Sequence, residues 1–138
     1  MQNHAKVLLS LAAVSLLAAT IAGAVGSHAL PLADEQALRS FETAVRFQFF
    51  HGLGVIAVTL VGLDGHGGRL RAAAAWLMLG GAALFCGSIY ARTLGAPSGI
   101  VTAAPYGGVA FMAAWLSFGA SVWLRGAAAP PTPAEPPR

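Results

Sequence analysis

Charge is what this sequence most plainly lacks. Asp, Glu, Lys and Arg make up 9% of its 138 residues, against about 25% in an ordinary soluble domain. Apolar residues make up 57%, and the mean hydropathy is +0.69. So few charges cannot coat a globular surface in water. Cysteine is nearly absent too. The lone Cys86 excludes an intrachain disulfide and a cysteine-based zinc framework, and inside its apolar run it reads as a small packing residue. The chain has no glycine-rich phosphate loop, no CxxC and no HExxH, so the common signatures of nucleotide, redox and zinc-protease chemistry are missing. No internal repeat suggests a transporter of the inverted-repeat kind. The net charge of +3 and pI near 9.8 do not point to nucleic acid. The eight Lys and Arg form no dense patch and sit mostly at the ends of apolar runs, as a bilayer distributes charge.

Four long apolar runs are present. The first, residues 7–26, follows Lys6 and carries no charge. About 20 residues at 1.5 Å rise match a 30 Å hydrocarbon core. A cleaved signal peptide is its rival, because Ala22-Gly23-Ala24 resembles a cleavage site. The charged stretch 31–46 then predicts an interfacial helix, with acids in its first turn, running without a break into a second span at 43–63. Residues 64–68, DGHGG, form a polar turn. A third span is expected at 72–91, a loop at 92–99 and a fourth span at 101–124, with Pro105 in its first turn, where proline is tolerated. The tail 126–138 is Ala/Pro-rich and is expected to be disordered. The fold class is therefore an all-α membrane protein, a bundle of four transmembrane helices in one domain over residues 1–125.

Lys and Arg set the orientation. Lys6, Arg69, Arg71, Arg125 and Arg138 fall on the side of both termini; Arg39, Arg46 and Arg92 fall on the other. Both termini are expected in the cytoplasm. Lipid tails are as apolar as leucine, so helices associate through small residues that let backbones approach. Stripes of that kind run through Ala18, Ala22 and Gly26 beside Gly23, through Ala83, Gly87 and Ala91, and through Ala103 and Gly107 beside Ala104 and Gly108.

Four ordered blocks carry a resemblance: GAVGSHAL at 23–30, FETAVRFQFFHGL at 41–53, LFCGSIY at 84–90 and PYGGVAFMAAW at 105–115. In that order they resemble the bacterial inner-membrane proteins grouped as "domain of unknown function 423", related to the transmembrane-protein-256-like proteins. The resemblance implies a retained first helix and a bacterial inner-membrane location. It departs at Ala104, where the family often has Thr. It supplies an architecture and no reaction.

The residues that stand out are His28, the pair Glu42 and Arg46, Gln48 with His51, and Ser88 with Tyr90. Polar groups within a bilayer are costly and default to a functional hypothesis, yet each has a plainer reading. His28 caps a helix end. Glu42 and Arg46, four apart, pair on one face. Ser88 lacks a visible base, and Tyr90 belongs to an interfacial aromatic belt. Gln48 and His51, three apart, share a helix face and should meet partners from other helices: Ser88, Thr102 or carbonyls near Pro105. His28 and His51 are too far apart along the axis to share an ion, since zinc–nitrogen bonds span about 2 Å. No cofactor or metal is expected. The leading expectation is a non-enzymatic component working within the lipid bilayer, as a homo-oligomer or in a larger membrane complex. A small-solute or ion conductor lined by Gln48 and His51 is the first alternative. A haem- or metal-binding protein or enzyme using His28 or His51 is the second.

Overall fold

The computed structural model describes residues 2–28, 35–63 and 67–124, with the side chains of residues 2, 27 and 28 left aside. The tail 126–138 and the side chain of His28 therefore lie outside the described residues. Four α-helices follow one another: α1 Gln2–His28, α2 Glu35–Val61, α3 Gly68–Thr93 and α4 Ala104–Leu124, the last preceded by a 3-10 segment Ser98–Ala103. All four are long and apolar enough to cross a membrane. Over the described residues the protein is all-α with four long helices, as its hydropathy pattern requires.

α1 and α3 overrun their expected spans at both ends and α2 overruns its span at the start, because a helix continues past the bilayer edge wherever nothing breaks it; α4 instead begins three residues inside the expected 101–124, since residues 101–103 belong to the 3-10 segment. The unbroken α2 of 27 residues is about 40 Å long at 1.5 Å per residue, longer than the hydrocarbon core. Its charged first turns join the span as expected. The expected loop at 92–99 is shortened at both ends, since residues 92–93 still belong to α3 and residues 98–99 to the 3-10 segment. Ala96 N–H donates to Ala91 O at 2.9 Å and Gly95 N–H to Arg92 O at 3.1 Å, and Gly95 has φ +96°. This pair of bonds closes α3 through a left-handed glycine, and Pro97 follows.

The helices pack in chain order, α1 on α2, α2 on α3 and α3 on α4; α1 only touches α3, and the backbones of α2 and α4 scarcely approach. The core is small-residue rich: Leu8, Ala12, Val55, Val58, Ala74, Ala75, Met78 and Ala114. Side chains such as Val14, Phe50, Leu60 and Leu116 project outward, which suits lipid and not water. The end of the bundle at Gly62 and Gly67 is the turn end, and the opposite one the 3-10 end.

The small-residue stripes need correction in detail. Gly107 is a true contact: a Cβ there would lie 2.5 Å from Phe85 N and 2.8 Å from Gly81 O. Gly26 is another, with Phe41 at 2.6 Å, while Gly23 meets Val45 at an ordinary 3.6 Å. Gly87 and Gly108 meet nothing within 4 Å, and Pro105 is exposed, so these three do not pack the bundle. The close approaches that the stripes missed are Gly52 under Leu16, Gly54 under Met78 and Gly81 under Phe111. Spacing shows which residues share a face; it does not show how that face is rotated toward a neighbour.

Candidate functional site: a polar seam through the bundle

Gln48 is buried on α2 and joins three helices. Its Nε2 donates to Ser15 O of α1 at 3.0 Å and, at 3.4 Å, to Ser15 Oγ. Its Oε1 accepts from the Tyr90 hydroxyl of α3 at 2.8 Å. A carbonyl has two lone pairs, so Ser15 O can serve α1 and still accept from the amide. The Tyr90 ring is held against Phe41, centroids 5.1 Å apart. Tyr90 is thus an interhelical donor and not simply a belt residue.

One turn further, buried His51 reaches the other way. Its Nδ1 lies 2.7 Å from Phe47 O, and its Nε2 lies 3.2 Å from the indole Nε1 of Trp115 on α4. An indole N–H only donates. Nε2 must therefore hold the lone pair, and Nδ1 carries the proton that it donates to Phe47 O. Both partners together define a neutral imidazole in one tautomer. Phe111 stacks on the ring at 3.5 Å and 16°, and Phe47 and Phe85 complete an aromatic wall. This side-chain bridge links α2 to α4, whose backbones stay apart.

The expected partners of the seam are therefore corrected. Ser88 donates to Phe85 O within its own helix, and Thr102 donates to Gly99 O and is exposed. Gln48 and His51 share burial but serve different neighbours. The missed residues are Ser15, Phe111 and Trp115. A backbone carbonyl leaves no mark in a sequence, and an indole in an apolar run looks like a lipid-facing one. The remaining buried hydroxyls, Thr59 and Ser121, also donate within their own helices. Cys86 Sγ lies 3.2 Å from Ala44 O. Among the described residues, no three of His, Cys, Asp or Glu converge as metal ligands do.

Glu42 and Arg46 do pair, at 3.6 Å, with side chains 53% and 69% exposed. A second pair of the same spacing, Glu35 and Arg39 at 2.9 Å, sits two turns earlier. Exposed helix pairs contribute about 0.3–0.5 kcal/mol, so neither locks the bundle. Arg71 is the opposite case. Reading it as a charge at a span end missed that it is fully buried. Its Nε donates to Gly62 O across the α2–α3 turn, and the turn itself depends on Gly62 and Gly67 at φ +101° and +81°.

A family model described as "Protein of unknown function (DUF423)" matches residues 22–108. The chain belongs to the DUF423 family. Among its relatives, a UPF0382 membrane protein, YwdK, of Bacillus subtilis is 33% identical over 112 residues, which is 80% of this chain and 91% of that protein. A UPF0382 membrane protein of Haemophilus influenzae is 34% identical over 110 residues, 79% of this chain and 87% of that one. One of Staphylococcus epidermidis is 33% identical over 113 residues, 80% and 90% respectively. No solved structure matches this chain. The DUF423 match contains Gln48, His51 and Tyr90, whereas Ser15, Phe111 and Trp115 fall outside it. With the four candidate spans, these relatives make the protein a small membrane protein in a lipid bilayer, from a family without an assigned activity.

Proposed function

We propose that this protein is a non-enzymatic structural or accessory component of the bacterial inner (plasma) membrane, in which the polar seam serves assembly and not chemistry. The observation that carries this reading is the state of His51: both ring nitrogens are engaged by the protein's own groups. To act as base or ligand, Nε2 would first have to give up Trp115. Gln48 is engaged in the same way by Ser15 and Tyr90, which leaves the conducting alternative without support. Interhelical hydrogen bonds of this kind contribute about 0.6–2 kcal/mol each in a membrane. Polar side chains that only tie helices together fit a bundle held ready for a partner, either a second copy or another membrane protein.

The test combines stability with phenotype. His51→Leu and Trp115→Phe should each lower the thermal midpoint in mild detergent, and partner retention should fall in step. His51→Asn should do little better than leucine, because its shorter amide can reach Phe47 O but not Trp115. Wild-type chain should co-purify with a partner or a second copy. A His51 variant that kept the wild-type midpoint yet reproduced the phenotype of a deletion strain would show that His51 acts chemically, and the reading would fall.

The proposed topology has both termini in the cytoplasm, residues 1–125 as the membrane domain and 126–138 as a tail outside it. The Lys and Arg count supports it. The docking of α1, with Leu8 and Ala12 in the core and Ser15 bonded to Gln48, supports a retained first helix. Reporter fusions after Leu63 should read cytoplasmic and fusions near Pro97 periplasmic; the reverse pattern would invert the orientation.

A further inference from the structure

The seam leaves one side of the bundle unfilled. At the turn end, Leu8 and Ala12 of α1 share a cluster with Ala74, Ala75 and Met78 of α3. Toward the 3-10 end the two helices stand apart, with cavities of about 320 and 420 Å³ between them, each bordered by Gln48 and Tyr90. Together they form a cleft over α2 that closes at the turn end. Val14, Ile21 and Leu94 line it and are themselves exposed, so the cleft is continuous with the surface that faces the bilayer.

Its chemistry selects the occupant. No lining residue carries a charge, and the amide and phenol within it already bond to each other and to Ser15. Water needs two to four polar partners to settle in such a space, and the cleft has little to offer it. The walls are built of Ala18, Ala22, Ala83 and Gly87, and a Cβ at Gly87 would meet nothing within 4 Å. Parts of two stripes expected to pack helices together, Ala18–Ala22 and Ala83–Gly87, thus line the cleft instead. A helix about 10 Å across fills roughly 400 Å³ per turn, so an inserted helix would match each cavity over no more than about one turn. An extended hydrocarbon chain is thinner, and the bilayer facing the exposed Val14, Ile21 and Leu94 supplies it.

We infer that the cleft between α1 and α3 is a binding site for the hydrocarbon tail of one membrane lipid, seated along the Ala18–Ala22 and Ala83–Gly87 walls and distinct from the exchanging lipid around the bundle. The full chain would be reconstituted in vesicles of phosphatidylethanolamine and phosphatidylglycerol. A trace of the phosphatidylglycerol would carry a diazirine in the middle of one acyl chain. Photolysis should label the two walls of the cleft several-fold more than the outward surfaces at Leu60 and Leu116. The same probe with its diazirine on the headgroup should not label the walls at all. Gly87→Leu, which places the protein's own hydrocarbon in the space, should bring wall labelling down to the surface level without lowering the thermal midpoint. Ala73→Leu, on the exposed face of α3, should leave the labelling unchanged. If Gly87→Leu does not fold, Ala83→Leu takes its place, and the wild-type labelling map decides by itself. Even labelling of cleft and surface would overturn the site. So would walls shielded from the probe in a dimer or complex that Gly87→Leu dissolves, since a protein helix would then be the occupant.

Discussion

Gly107→Ala should destabilise the folded bundle by about 1–3 kcal/mol, the usual cost of forcing extra volume into a packed contact. Gly108→Ala, one residue along, should be neutral or stabilise by up to about 1 kcal/mol, since alanine is the better helix former. The contrast comes from the α3–α4 crossing. At Gly107 the new methyl would meet the backbone of Phe85 at 2.5 Å and of Gly81 at 2.8 Å. Backbone cannot rotate away as a flexible side chain can, so the two helices would have to separate. Separation would also disturb Phe111, which sits over Gly81 and stacks on His51, so the damage should extend to the bridge between α2 and α4. At Gly108 there is nothing within 4 Å to displace. Thermal midpoints in one detergent decide the matter; equal midpoints for the two variants would mean that the close crossing at Gly107 does not exist.

Arg71→Leu should cost about 2–4 kcal/mol, whereas Arg69→Ala should stay within about 0.5 kcal/mol, as exposed substitutions usually do. The two arginines are two residues apart in a helix and meet opposite environments: Arg69 is exposed and Arg71 is buried. Hydrogen bonds from charged groups contribute about 1.5–3 kcal/mol, and a leucine would leave Gly62 O without its guanidinium donor. It would also leave part of the arginine's space empty, which adds a cavity cost. Arg71→Lys should fall between the two, because an ammonium is a point charge without the planar fork of the guanidinium. Chemical unfolding in a single detergent would rank the three variants. An Arg71→Leu midpoint equal to that of Arg69→Ala would show that the α2–α3 turn does not depend on Arg71.

Much of the candidate site was legible in the chain. Gln48 and His51 stood out because an amide and an imidazole in an apolar run need partners when water is absent, and the helix period placed them on one face, away from Glu42 and Arg46. Their partners were not legible. Ser15 contributes mainly a carbonyl, which every residue has, and Trp115 is 44% exposed, so its ring passes for a lipid-facing one while its N–H turns inward. Arg71 misled for a related reason. A cation next to a turn looks like a topological marker, and only the folded turn brings the Gly62 carbonyl to it.

The sequence by itself determined what local physics controls. Long uncharged runs must be helical in a bilayer, since every backbone polar group has to be satisfied within its own segment, and Gly62, Gly67 and Gly95 with Pro97 lie where segments end. Family membership was legible for the same reason, in ordered blocks spread over the helices. The tertiary structure alone decided which glycines touch. Gly81 and Gly107 meet, while Gly87 and Gly108, at equivalent-looking positions, face open space. A period of 3.6 residues defines the faces of each helix but leaves its rotation about its own axis free. That rotation is set only when all four helices pack at once, and it places Gln48 toward Ser15 and Tyr90, turns His51 toward Trp115, and leaves a cleft between α1 and α3.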